Sequence, residues 1–222
     1  LEFAGDRLLV DPGMISYSDT RSQQLGLDEW HNTLSIGAVS QSVATADPAA
    51  VLTSYSDTNS QYCYLSSDAT RVYTNALSAK RTVYYSDTQN ILVCVDDAAL
   101  KTAQSMAVNW QTLAPFQQEG TQFRLTRPHA QLLMDVSSAS NTLTAVQSKF
   151  ISDSGDLYRQ RFSAGPVLND RIVSVFAFGT TNDTVNIIRN SPSEYKVTTG
   201  SGRYMIYINP ENTPSITVQP LQ

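Results

Sequence analysis

The sequence predicts an all-β fold, a large antiparallel β-sandwich. Three observations carry this reading. Short strand-like runs recur along the whole chain, separated by clusters of turn residues. The composition suits pleated surfaces, with 11 tyrosines and abundant Ser, Thr and Val. The length, 222 residues, is what sandwiches that fold as one unit commonly reach.

In chain order, an apolar run Leu8-Leu9-Val10 stops at Asp11-Pro12-Gly13, which has the residues of a type II turn: proline presets the first central φ and glycine takes the positive φ of the second. A polar excursion follows, and Trp30-His31-Asn32 leads into Thr33-Leu34-Ser35-Ile36, which alternates with period two. Strands are expected at 51–55, 61–65, 72–77, 82–85, 91–95 and 105–110. More follow at 122–125, 131–136, 142–150, 157–162 and 172–178, and a last group at 184–188, 195–198, 204–208 and 215–218. The stretch 97–105, DAALKTAQS, hints at a helical turn. Tyr-Ser-Asp-Thr occurs three times, starting at Tyr17, Tyr55 and Tyr85, and reads as recurrent turn chemistry because each short polar side chain can bond a nearby amide. The turn from Ser152 to Asp156 reads as a hairpin tip, since it lacks the ligand spacing of a calcium loop. No linker divides the chain, so 1–222 is one domain.

The formal charge of −5 and pI near 4.9 argue against a nucleic-acid partner, which would select a basic face. An anionic sugar chain stays compatible, because a local arginine cluster can outweigh the global sign. No apolar run is long enough to span a membrane, and the first residues have neither the basic start nor the apolar core of a signal peptide. The chain does not start with methionine and reads as a processed product or a piece of a longer protein. Cys63 and Cys94 are open to a disulfide or to two buried thiols. Asn182-Asp183-Thr184 is a glycosylation sequon, relevant only in a eukaryotic secretory pathway.

The run LLVDPG, the tyrosine soon after it (Tyr17), the polar loop and then His-Asn-Thr before an alternating strand resemble the C-terminal β-sandwich of the heparinase II/III-like polysaccharide lyases, a group that includes the oligoalginate lyases. Arg81-Thr82-Val83-Tyr84-Tyr85 followed by 91–97, ILVCVDD, looks like the strand pair such enzymes carry next. The resemblance covers roughly residues 3–100. It implies an extracellular or periplasmic β-eliminating lyase of uronic-acid-containing polysaccharide, alginate or glycosaminoglycan. The sandwich would form one wall of the substrate cleft, and an α/α toroid carrying most of the catalytic groups would precede it. This chain starts after that toroid and after the sandwich's first strand, so alone it is expected to turn over nothing. Its partners would be an anionic polysaccharide and an N-terminal helical toroid chain or domain.

The resemblance also implies site residues. Asp11 and His31 correspond to ligands of a structural zinc, whose further histidine would lie on the strand before LLVDPG, outside this chain. Carboxylate and imidazole are reasonable zinc donors, although a structural site takes four. The other histidine, His129, follows a proline turn with no motif for a metal. Tyr17 is the candidate catalytic residue, since a phenol suits the proton transfers of β-elimination. Arg21 and Trp30, on the loop that follows, are candidate substrate contacts. Arg159 and Arg161 fall on one face of a strand by alternation, where two guanidiniums can bind uronate or sulfate. Two rival readings stand beside the lyase. One is a binding module using the rings of Tyr17, Trp30 and Trp110. The other is a structural sandwich whose exposed sheet edge pairs with a partner chain.

Overall fold

The computed structural model describes residues 1–12, 18–19, 21–38, 50–58, 61–152, 155–209, 211 and 215–222. Sixteen strands follow in order among them: β1 (Glu2–Phe3), β2 (Asp6–Arg7), β3 (Leu34–Ile36), β4 (Val51–Thr58), β5 (Tyr62–Asp68), β6 (Ala76–Ser86), β7 (Ile91–Thr112) and β8 (Gln117–Glu119). Then come β9 (Gln122–Thr126), β10 (Ala130–Ser138), β11 (Thr144–Ser152), β12 (Gly155–Thr180), β13 (Asn186–Ser191), β14 (Glu194–Thr199), β15 (Gly202–Ile208) and β16 (Ile216–Pro220). One helical turn, α1 (Ser22–Leu25), and 3₁₀ turns at Asp28–Trp30 and Thr70–Val72 complete the set. The all-β expectation holds, and every pairing is antiparallel.

The architecture is governed by β7 and β12, which run beside each other through residues 91–112 and 158–177. The first half of β7 and the second half of β12 lie in the order β4-β5-β6-β7-β12-β10-β9-β8. Their other halves pair with β3 and β11. The ladder slips between Ala164 and Pro166 and again between Val167 and Asn169, next to the exposed stretch 101–103. Such irregularities bend a strand and increase its twist. The sheet therefore doubles over itself: a small layer, β11-β12-β7-β3, lies across the larger one.

Residues from both parts meet in one core. Trp110 on the small layer packs edge-on against Phe176 of the large layer, ring centroids 4.7 Å apart, and Phe162 meets Phe123 at 4.9 Å. The opposite face of the large layer carries Val93, Leu133, Val173 and Val175, which bury against Tyr195, Val197 and Ile206 of a separate sheet, β13-β14-β15-β16. Three layers with two cores result. The central strand β10 is buried along its whole length, with Leu132, Met134 and Val136 in one core and Leu133 in the other.

Several expectations change here. The runs at 91–95 and 105–110 are one strand, as are those at 157–162 and 172–178. The stretch 97–105 is strand rather than helical turn, because pairing with β6 and β12 overrides its local pattern. Tyr55–Thr58 lies in β4 rather than in a turn. At the third copy the turn chemistry is present: Gln89 N–H donates to Ser86 Oγ at 3.2 Å. Ser152 and Gly155 pair as the last rung of the β11–β12 hairpin. Cys63 and Cys94 are free thiols, and burial pushes the Cys94 thiol up, so it stays neutral.

Tyr84 and Tyr195 are both pushed up to about 12, chiefly by burial. An unfolded tyrosine titrates near ~10. Between those values the unfolded chain has lost protons that the folded chain keeps, so stability present below pH ~10 falls as pH rises toward ~12. Urea denaturation at pH 8, 10 and 11 should show this fall. Tyr195→Phe should flatten it, even though the variant loses the 2.6 Å hydrogen bond between Tyr195 and Ser137.

Candidate functional site

The outward face of the small layer gathers most of the side chains singled out from the sequence. Alternation turns Trp110 and Phe162 inward and Gln111, Asn109, Leu157, Arg159 and Arg161 outward. The segment from Arg21 to Thr33 folds over this face, and Leu25 and Trp30 bury with Val10, Phe150 and Leu157 in a small apolar patch. Trp30 meets the Phe150 ring at 5.3 Å. Arg159 lies over the Trp30 ring, its guanidinium carbon 4.6 Å from the centroid, a cation–π contact. Strand alternation does put Arg159 and Arg161 on one face, but Trp30 and Trp110, expected as exposed rings for sugar, are 8% and 4% exposed and belong to the apolar packing.

Their electrostatics differ from a free anion site. Arg159 Nη1 pairs with Glu29 Oε2 at 2.9 Å and its Nε donates to Ser148 Oγ at 3.0 Å. Arg161 Nη1 lies 3.9 Å from the same Glu29 oxygen and donates to Asn109 Oδ1 at 3.2 Å. Burial, and then the charge of Arg159, pulls the Arg161 guanidinium below its usual range. Two cations thus share the Glu29 carboxylate, and the buried Asp28 adds a second negative charge acting on Arg161. An incoming anion would compete with Glu29. Arg21 also reaches this patch, with its guanidinium carbon 5.8 Å from the Phe150 centroid, but it is paired with Asp19 and donates to the Ile151 carbonyl at 2.5 Å. Arg21 in turn holds the Asp19 carboxyl down to about 2.

Asp11 and His31 meet directly: Nδ1 and Oδ2 are 2.7 Å apart, and Nε2 lies 2.9 Å from the Leu25 carbonyl. A carbonyl accepts only, so Nε2 carries a proton and Nδ1 faces the carboxylate. Zinc ligated by both at ~2.0–2.1 Å in tetrahedral geometry would hold the two atoms roughly 3.3 Å apart, so they would have to separate. No group of three His, Cys, Asp or Glu side chains that could hold a metal exists among the described residues. By themselves these residues do not form a zinc site. Tyr17 lies outside the described residues.

The hub of this region, missed in the sequence, is Asn32. Its Nδ2 donates to the Val10 carbonyl at 2.8 Å and its Oδ1 accepts Gln111 N–H at 2.7 Å. Its carbonyl accepts from Arg81 Nη1. Val10 precedes Asp11 and Asn32 follows His31, so one asparagine clamps both halves of the Asp11–His31 pair to β7. Arg81 is itself held by both oxygens of Asp96, at 2.7 and 2.9 Å. The signal available was Asn32's place within His-Asn-Thr, and two charged residues, Arg81 and Asp96, inside strand-like runs.

Fold and site together define a class. The chain matches the family described as heparinase II/III-like, C-terminal, over residues 1–196, and it belongs to that family. Among solved structures it is similar to the heparinase III BT4657 gene product, with TM-score 0.69 and 12% identity over 99% of this chain and 35% of that one. It is similar also to the heparan sulfate lyase HepC from Pedobacter heparinus, with TM-score 0.65 and 15% identity over 92% of this chain and 35% of that one. A third, titled heparinase III, has TM-score 0.66 and 13% identity over 98% of this chain and 34% of that one. At such identities the likeness shows the fold. The chain spans about a third of the length of these structures. No curated protein matches it by sequence. No helix among the described residues is long and apolar enough to cross a membrane.

Proposed function

We propose that the chain is the sandwich portion of an extracellular or periplasmic polysaccharide lyase. It would form one wall of a cleft in which uronic-acid-containing polysaccharide, alginate or glycosaminoglycan, undergoes β-elimination. One observation carries this reading: Asp11, Arg21, Trp30, His31, Arg159 and Arg161, named from a family motif and strand alternation, converge on one face of the small layer. β-Elimination needs a base for the C5 proton, a group that neutralises the uronate, and an acid for the leaving oxygen, held in one geometry. Arg161 offers a partly satisfied cation for the sugar carboxylate, and the buried Trp30, covered by Arg159, braces that face from below. Tyr17, between Asp11 and Arg21 in the chain, is the proposed phenol for proton transfer. The remaining groups would come from a preceding helical toroid, as the partial coverage of the structural neighbours suggests.

Zinc belongs to this proposal as a shared structural ion. Asp11 and His31 would contribute two ligands, and the rest would come from beyond the described residues. When bound, it would fix the Asp11 turn against His31.

The test is the full-length protein with heparan sulfate, alginate and an uncharged glucan, following the ultraviolet absorbance of unsaturated uronate. Product from one of the acidic polymers and none from the glucan is expected, with Tyr17→Phe lowering kcat by about 10²-fold or more. Metal analysis of the same sample should give zinc near one equivalent, lost in His31→Ala. A full-length protein that yields no unsaturated product from any uronate polymer overturns the reading and favours a binding or assembly module.

A further inference from the structure

A cleft of about 370 Å³ opens at the edge of the layers, where the β8–β9 hairpin tip, the β10–β11 connection and β13 come together. Its lining includes Gln118, Asn141 and Arg189 together with the rings of Phe123 and Phe162, and it shares no residue with the Trp30–Arg159 face. The volume lies at the small end of ligand pockets, which suits a single sugar unit better than a length of chain.

Arg189 gives the cleft its chemistry. Charge-assisted guanidinium–carboxylate bonds run at about 2.7–2.9 Å, as those of Arg81, Arg124 and Arg159 do here. Arg189 Nη1 instead stands 3.4 Å from Asp135 Oδ1 and 3.5 Å from the Val136 carbonyl. Asp135 is 1% exposed, its Oδ1 makes no hydrogen bond, and burial pushes its carboxyl up against the pull of Arg189, so the contact between them is a long one without a bonded geometry. Arg159 and Arg161, by contrast, already share Glu29. The two amides beside Arg189 are half used: Gln118 Nε2 donates to the Gly120 carbonyl at 2.9 Å and Asn141 Nδ2 to Asp170 Oδ2 at 3.0 Å. That leaves their carbonyl oxygens to accept from hydroxyls. A planar guanidinium fork matches a carboxylate, and no second cation lines the cleft to hold a dianion such as phosphate.

We propose that this cleft is a saccharide-binding site separate from the Trp30–Arg159 face, taking one acidic sugar unit with its carboxylate on Arg189 and its hydroxyls on Gln118 and Asn141. The proposal does not rest on the lyase reading, since a non-catalytic sandwich would carry the same site.

The experiment is a titration of the ¹⁵N-labelled 222-residue chain with glucuronate, its neutral methyl ester and a tetrasaccharide ending in uronate. Saturable shifts at the Gly120, Thr121 and Asn141 amides are expected with glucuronate, weakened about tenfold or more by the ester or by Arg189→Gln. Ala145→Trp, which fills the cleft without touching the Arg189–Asp135 contact, should abolish them and keeps the test open if Arg189→Gln fails to fold. Free glucuronate and a chain end present the same carboxylate. Tighter binding of the tetrasaccharide identifies chain ends as the natural ligand, and binding of the monosaccharide alone identifies the free acid; either supports the site. No binding, or binding that Arg189→Gln and Ala145→Trp leave intact, overturns it. Because lyase activity is not read here, an inactive full-length enzyme leaves this result standing.

Discussion

Asp96→Ala should destabilise the protein by about 3–5 kcal/mol, the usual result of deleting one partner of a buried ion pair. Asp96 is 1% exposed and both its oxygens are engaged by Arg81, whose own side chain is 21% exposed. Removing the carboxylate strands a guanidinium between the two layers, left with the Asn32 carbonyl and the Trp110 ring, whose centroid is 5.7 Å away. Most of the cost is the uncompensated charge rather than the worth of the bridge. The double variant Arg81→Met with Asp96→Leu should therefore be milder than Asp96→Ala alone, although the Asn32 carbonyl then loses its donor. Urea denaturation of both variants checks this. A single variant costing less than the double would show that the pair is solvated and that Arg81 does not anchor the segment above it.

Trp110→Ala should cost a similar amount, about 3–5 kcal/mol. The indole is 4% exposed, stacks edge-on with Phe176 across the two layers, and donates from Nε1 to Ser174 Oγ at 3.2 Å. Its removal opens a void where the doubled sheet closes, and rigid strands on both sides limit collapse. Trp110→Phe should recover much of the loss while leaving the Ser174 hydroxyl without its donor. Because Trp110 also lies under Arg81, combining Trp110→Ala with Asp96→Ala should give a total that departs from the sum of the two. Thermal unfolding followed by circular dichroism is sufficient to see it.

Most strands were legible because their apolar residues alternate or run together between turn residues. Illegible were the joins. The segments 101–103 and 165–169 are exposed and polar or Gly-Pro bearing, which reads as a turn, yet they are bends within continuous β7 and β12. Local sequence cannot distinguish a strand that stops from one that crosses between layers, because pairing with neighbours decides it. The site shows the same division. Alternation put Arg159 and Arg161 together, and the His-Asn-Thr motif pointed to His31. The counterion Glu29 and the clamp Asn32 gain their roles from contacts between segments distant in sequence. Arg189 sits in a strand with nothing local to mark the cleft it enters.

The shared strands β7 and β12 also govern how the molecule must assemble. Each belongs to both layers of the doubled sheet, so neither layer can be completed while the other is absent. Their pairing joins parts of the chain far apart in sequence, and the entropy of closing that loop is lost before either core forms. Folding should accordingly be slow, as for other topologies dominated by non-local pairing. Once formed, the two layers should melt together as one cooperative unit, with no half-sandwich surviving alone.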